Sequence, residues 1–404
     1  YPTKQHEANI EVKVIQHIRS DPKLDADQIK LLKSELSSST KTMVICGQEF
    51  YEEQVIHHLN HLSETFKIPV LGDVISNIHG IESAVLRSDI FLGSSKKGLH
   101  ESLKPDLLIT FGKSILSKQL KFMLRKNPPT RHWHIQPSGE VADTYQGLTQ
   151  IIRTPVRHFL EVMNSLDSKE DFDFQKQENY YQIWQIEERK VLRSLSEFFP
   201  QKTMGEFEVI YNVLSRLKTG NLHLANSMAV RYANFIGLTA IQSDVKVFCN
   251  RGTSGIDGSN STAVGVAIES PSKLNILVTG DMAFFYDRNA FWHNYQIPNL
   301  RILLLNNHAG GIFRLIKGPS STPELEDYFE TKQNLTAKYV AQEYSFDYLL
   351  CDRKSKLNNF VNQFLEDDGQ AKILEVETSS VENKQILEKF KTAFENQNSI
   401  NFEI

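Results

Sequence analysis

Cysteine is scarce in this chain, and neither sign of charge is in excess. The three cysteines, Cys46, Cys249 and Cys351, stand far apart and form no Cys-x-x-Cys pair. That spacing excludes a zinc ribbon and a disulfide framework, and it leaves buried thiols as the reading. With 45 basic and 49 acidic residues the net charge is −4. Such a balance gives no broad footprint for nucleic acid or an anionic membrane, so any anion must be recognised locally. No apolar run approaches the ~20 residues of a membrane-spanning helix, and there is no internal repeat or low-complexity tract. The opening Tyr1-Pro2-Thr3-Lys4-Gln5-His6-Glu7 has neither a signal peptide's apolar region nor an initiating Met. The expectation is a cytoplasmic protein whose chain here begins inside a longer one.

What is present is an alternation of short apolar runs and helical stretches over 404 residues, a length that predicts two domains. After a polar, helical lead-in, strands are predicted at Thr42–Gly47, Pro69–Val74, Asp106–Gly112 and Arg131–Ile135, with helices at Tyr51–Phe66 and Ser117–Arg125. The pattern resumes with a helix at Phe207–Leu217, strands at Leu222–Ala225 and Lys246–Cys249, a helix at Ser261–Ala267, a strand at Lys372–Glu377 and a helix at Val381–Phe394. Strands that alternate with helices predict an α/β protein of two doubly wound domains with mainly parallel sheets. The first, Rossmann-like domain is placed at 1–177 and the second at 178–404. The polar stretch Asp167-Ser168-Lys169-Glu170-Asp171 is the expected linker. Gly47-Gln48-Glu49-Phe50-Tyr51-Glu52, after the first strand, lacks the spaced glycines that admit a pyrophosphate, so no nucleotide is assigned there.

Two runs in the second half carry the chemistry. Ile276-Leu277-Val278-Thr279-Gly280-Asp281 is answered about 25 residues later by Ile302-Leu303-Leu304-Leu305-Asn306-Asn307. Each is an apolar β-type run that stops on an oxygen-bearing side chain. Two buried parallel strands would deliver Asp281 and Asn307 to one sheet edge, where α/β proteins bind ligands. A carboxylate, an amide oxygen and loop carbonyls are hard donors that suit a small divalent ion with positions left for phosphate oxygens and water. A metal-bound diphosphate is the expected cargo. Nearby, Gly252 to Gly258 holds three glycines around Ile256, so a tightly bent backbone can project one branched apolar side chain.

The pairing resembles the thiamine-diphosphate signature, opened by Gly-Asp and closed by Asn-Asn. With Asn226-Ser227-Met228-Ala229-Val230-Arg231, Asn250-Arg251-Gly252-Thr253-Ser254-Gly255-Ile256-Asp257-Gly258 and Asn306-Asn307-His308-Ala309-Gly310-Gly311-Ile312-Phe313, in that order, the chain resembles the 2-succinyl-5-enolpyruvyl-6-hydroxy-3-cyclohexene-1-carboxylate synthases of menaquinone biosynthesis. The resemblance implies Mg2+ (or Mn2+) on Asp281, Asn307 and the Ala309 carbonyl, and Ile256 propping the bent cofactor. It adds Ser254, Gly280, Met282, Ala283 and Gly310 as further cofactor contacts. Ser227, Arg231 and Arg251 match substrate-contacting positions, Ile312 and Phe313 apolar residues beside the reacting carbon.

The implied substrates are 2-oxoglutarate and isochorismate, and the implied complete enzyme is a homodimer or homotetramer. Ser114-Ile115-Leu116-Ser117-Lys118-Gln119-Leu120 matches a stretch that brings two basic residues toward the active site. Lys118 matches the first, and Gln119 stands where the second is usually arginine. The resemblance also implies an N-terminal pyrimidine-binding domain carrying a catalytic glutamate, which these residues do not include, and therefore an inactive fragment. His57 and His61 lie four apart on a predicted helix without the glutamate of His-Glu-x-x-His, and read as a solvated face. Two rival readings share the Asp281 and Asn307 clamp: another thiamine-diphosphate enzyme, such as a 2-oxoacid decarboxylase or acetolactate synthase, and a non-catalytic cofactor-binding module.

Overall fold

The computed structural model describes residues 23–165, 173–199 and 204–400, with side chains to 396. The opening residues Tyr1–Glu7 and the expected linker Asp167–Asp171 lie outside the described residues. Five strands form the first sheet: β1 (Thr42–Cys46), β2 (Val70–Gly72), β3 (Leu107–Phe111), β4 (Arg131–Ile135) and β5 (Gln150–Ile152). Their order is β2-β1-β3-β4-β5 and every pairing is parallel. Six more form the second: β6 (Gly220–Leu224), β7 (Val245–Phe248), β8 (Asn275–Gly280), β9 (Leu300–Asn306), β10 (Asp347–Cys351) and β11 (Lys372–Glu377). They run β10-β11-β9-β8-β6-β7, again all parallel. The fold is α/β with two doubly wound parallel sheets, as the alternation predicts.

Central strands β1, β3 and β9 are buried throughout, which is why they read as continuous apolar runs. Sequence patterning missed β5 and β10. Both lie at sheet edges and are partly exposed, so they lack that continuous run. The three cysteines are free and buried. Among the described residues, no helix is long and apolar enough to cross a membrane.

The 25-residue helix Phe174–Phe198 joins the two halves, and the expected boundary at 177/178 falls in its first turn. Tyr180, Trp184, Val191 and Leu195 from this helix share one core cluster with Met43 and Ile45 of β1 and Leu222 and Leu224 of β6. Polar groups lock the junction as well. Arg87 pairs with Glu188 at 2.6 Å, both nearly fully buried, and donates to the carbonyls of Ile236 and Leu238. Asn77 exchanges two hydrogen bonds with the Val247 backbone. Each buried charge or amide here is satisfied across the junction, as burial demands.

The helix Lys118–Lys126 is capped by Ser117, whose hydroxyl accepts from Leu120 N at 3.2 Å and donates to Asp89 at 2.6 Å. Losing such a cap costs about 1 kcal/mol. Urea titration of S117A is expected to show that loss, and an unchanged midpoint would remove the cap's assigned role.

Candidate active site

In the second sheet the chain steps from β6 to one side for β7 and to the other for β8. Ligands of open parallel sheets bind at this kind of reversal, beyond the carboxyl ends of the strands. The loop after β6 carries Asn226 and Ser227; the end of β8 carries Gly280 and Asp281. The register Gly280↔Leu305 sets Asp281 level with the last residue of β9, with Asn307 one step beyond. Both residues line one cavity of about 540 Å³.

Asp281 is 2% exposed and opens the helix Asp281–Tyr286. Its carboxylate accepts from Met282 N at 2.9 Å and from Gln333 Nε2 at 2.8 Å. Burial pushes its pKa up to about 6, against the lowering pull of those hydrogen bonds. Asn307 donates from Nδ2 to Glu206 at 2.6 Å and accepts at Oδ1 from Ala309 N at 3.0 Å. Ala309 and Gly310 stand on the same wall. Among the described residues, no three His, Cys, Asp or Glu side chains cluster as a metal site. With Asp281 and Asn307 as donors, a cation here would rest on a carboxylate and a neutral oxygen, with phosphate and water completing its shell, a donor set that fits Mg2+.

Gly252 and Ser254 adopt positive φ, bending the loop that follows β7. Ile256, at its tip, is 36% exposed and faces the cavity, an unusual setting for a branched apolar side chain unless something packs on it. Gly280 has open space where a Cβ would stand. Met282, Ala283, Ile312 and Phe313 supply apolar wall.

Arg231 and Arg251 bring positive charge to the same cavity as Ser227. Asn226 ties these loops together, donating to the carbonyls of Asn250 and Gly255 and accepting from Arg251 NH1 at 2.6 Å. Arg231 donates to the Ser227 carbonyl at 2.6 Å. Burial, then the neighbouring Arg251, lowers the Arg231 pKa. Arg251 Nε is buried with no hydrogen-bond partner. Two guanidiniums on the wall of one cavity are a place for a carboxylate.

Of the residues matched to cofactor, metal or substrate positions, Lys118 alone stays out of this cavity. It is exposed, with its ammonium 5.3 Å from the Phe122 ring centre. The helix Lys118–Lys126 buries Leu120, Met123 and Leu124, and that phase turns position 118 to solvent. Glu206, Asn226, Gln333 and the aromatic pair Tyr328 and Phe329 were not picked out as site residues. Only Asn226 had a signal, its place in a quoted motif.

A larger cavity, about 800 Å³, opens beyond β1, β3 and β4. It contains none of the candidate residues. Its cations Lys113 and Arg157 already face Glu49 and Glu52 at 3.6 and 3.8 Å. With its positive charge balanced, it is the poorer setting for a diphosphate, and donor chemistry favours the smaller cavity.

A family profile described as "Middle domain of thiamine pyrophosphate" matches residues 21–224, from the lead-in through the first sheet to β6. A 2-succinyl-5-enolpyruvyl-6-hydroxy-3-cyclohexene-1-carboxylate synthase from Cytophaga hutchinsonii is 42% identical over 370 residues, covering 91% of this chain and 64% of that protein. Synthases of the same name from Flavobacterium johnsoniae and Phocaeicola vulgatus are 36% and 33% identical, covering 82% and 96% of this chain and 58% and 67% of theirs. The chain spans less than two thirds of the length of the first two of these relatives. It belongs to the 2-succinyl-5-enolpyruvyl-6-hydroxy-3-cyclohexene-1-carboxylate synthase family of thiamine pyrophosphate enzymes.

Proposed function

We propose that this chain supplies the middle (1–177) and diphosphate-binding (178–404) parts of a cytoplasmic synthase of menaquinone biosynthesis. The complete enzyme, a homodimer or homotetramer, decarboxylates 2-oxoglutarate and adds the resulting four-carbon unit to isochorismate, forming 2-succinyl-5-enolpyruvyl-6-hydroxy-3-cyclohexene-1-carboxylate. One observation carries the reading: Asp281 and Asn307 end neighbouring strands in the cavity that also holds Arg231 and Arg251.

In this reading Asp281, the Asn307 amide oxygen and the Ala309 carbonyl hold Mg2+ or Mn2+ against the cofactor's diphosphate. When bound, thiamine diphosphate supplies the electron sink for decarboxylation. Ser254, Gly280, Met282, Ala283 and Gly310 would shape its berth, and Ile256 would pack against it. Arg231 and Arg251 hold and orient substrate carboxylates, with Ser227 beside them, which lowers the entropic barrier to bringing two dianions together. Ile312 and Phe313 keep water from the reacting carbon.

Calorimetric titration of this chain with thiamine diphosphate is the direct test. Saturable heat is expected with Mg2+ present and a much weaker response without it; no heat in either case would overturn the reading. By the same reading the pyrimidine side of the cavity belongs to sequence beyond these residues. Supplied with both substrates, cofactor and Mg2+, the chain alone should give negligible product. Synthase turnover from it unaided would refute that part.

A further inference from the structure

Glu206 is a carboxylate that sequence reasoning passed over, buried to 3% exposure at the start of the helix Glu206–Leu214. Its Oε1 accepts from Asn307 Nδ2 at 2.6 Å. A second bond, Ala309 N to Asn307 Oδ1 at 3.0 Å, agrees with the first. The oxygen and nitrogen of a carboxamide are nearly the same size, so shape alone cannot decide which one faces a ligand; hydrogen-bond partners decide it. An acceptor on one side and a donor on the other admit a single orientation, in which the lone pairs of Oδ1 are turned away from Glu206. The flipped amide would set two carbonyl-type acceptors together at Glu206 and offer N–H groups to a cation.

Chain topology makes this arrangement specific. Glu206 lies 101 residues before Asn307 and is itself held by Asn383, which accepts from Glu206 N at 3.0 Å, and by Thr378, 3.5 Å from Oε1. A carboxylate fixed at this depth is costly to bury, and among the described residues its closest side-chain donor is Asn307.

We infer that Glu206 is a positioning residue that fixes the Asn307 carboxamide with its oxygen toward the metal position. The inference rests on the cofactor reading above and adds to it a residue whose role is exerted through Asn307. It acts through one hydrogen bond, so its effect should appear in metal affinity before any turnover is considered.

The test is Mn2+ binding to this chain with saturating thiamine diphosphate, read by electron paramagnetic resonance of free Mn2+. Glu206→Met keeps the volume and removes the acceptor, and is expected to weaken Mn2+ about tenfold, the lower end for loss of a group that orients a ligand. Glu206→Gln retains an acceptor oxygen and should stay within about threefold of wild type. Asp has two equivalent oxygens and no flip to prevent, so on an Asn307→Asp background Glu206→Met should no longer weaken binding. A merely structural role would persist in that background. Equal Mn2+ affinity for wild type and Glu206→Met overturns the inference and leaves the cofactor reading intact, as does an equal loss in both backgrounds. Absence of Mn2+ binding by wild type overturns both. Should Glu206→Met not fold, Glu206→Gln decides: a tenfold loss despite its acceptor oxygen counts against the inference, and retained affinity supports it.

Discussion

Replacing Asp281 by alanine is expected to abolish the Mg2+-dependent part of thiamine diphosphate binding, weakening apparent affinity by about 100-fold or more. Groups that only orient a metal ligand are worth about 10- to 100-fold, and the sole carboxylate in a donor set belongs at or beyond the upper end. Asn307 and the Ala309 carbonyl are neutral and cannot balance a divalent charge once Asp281 is gone. The same change should not weaken the ligand-free fold. The carboxyl pKa is raised from 3.8 to about 6. A folded state that binds the proton more tightly than the unfolded one loses stability as pH rises through that window. At neutral pH the ionised group is thus held at a cost, and its removal should leave the melting temperature unchanged or raise it. Calorimetry with and without Mg2+, paired with a thermal melt, separates the two effects. Cofactor affinity within threefold of wild type would defeat the assignment of Asp281 as a metal ligand.

Arg251→Met in the complete synthase is expected to lower kcat/KM by about 30-fold or more. Truncating one partner of a desolvated charge pair costs roughly 2–5 kcal/mol, and each ~1.4 kcal/mol is tenfold. The structure explains why the effect should be large. Asn226 pins NH1 at 2.6 Å, while the buried Nε has no partner. The guanidinium is thereby held in place before any substrate arrives, an arrangement that lowers the ordering cost of binding a dianion. Lysine should not rescue the loss, since a point charge cannot serve Asn226 and a carboxylate with the same planar fork. Steady-state kinetics with 2-oxoglutarate and isochorismate varied in turn would show which substrate depends on Arg251. A kcat/KM within threefold of wild type, or full rescue by Arg251→Lys, would count against a role in carboxylate recognition.

Much of the architecture was legible before folding. Strands β1, β3, β8, β9 and β11 are apolar runs bounded by polar or glycine residues, and that pattern survives because both sheet faces are covered. Edge strands β5 and β10 escaped because half-exposure removes the pattern. The motif around Lys118 fixed its position in the chain, whereas its direction depends on which face of the helix packs inward. Short motifs singled out Asp281, Asn307 and Arg251, because each lies beside a glycine or asparagine that marks a strand end or a bent loop.

The linear order of residues determined, by itself, the α/β alternation, the family resemblance and the oxygen donors at the ends of β8 and β9. Tertiary structure alone decided that the sheet reverses its direction of growth at β6, and that this brings Ser227 and Arg231 to the edge where Asp281 and Asn307 stand. It also decided that Glu206 meets Asn307 across 101 residues and that Gln333 meets Asp281 across 52. The physical reason is that periodicity and turn chemistry act over a few neighbours and leave a trace in local sequence. Hydrogen bonds between distant side chains leave none, since they form only after strand order and packing have set their partners within reach.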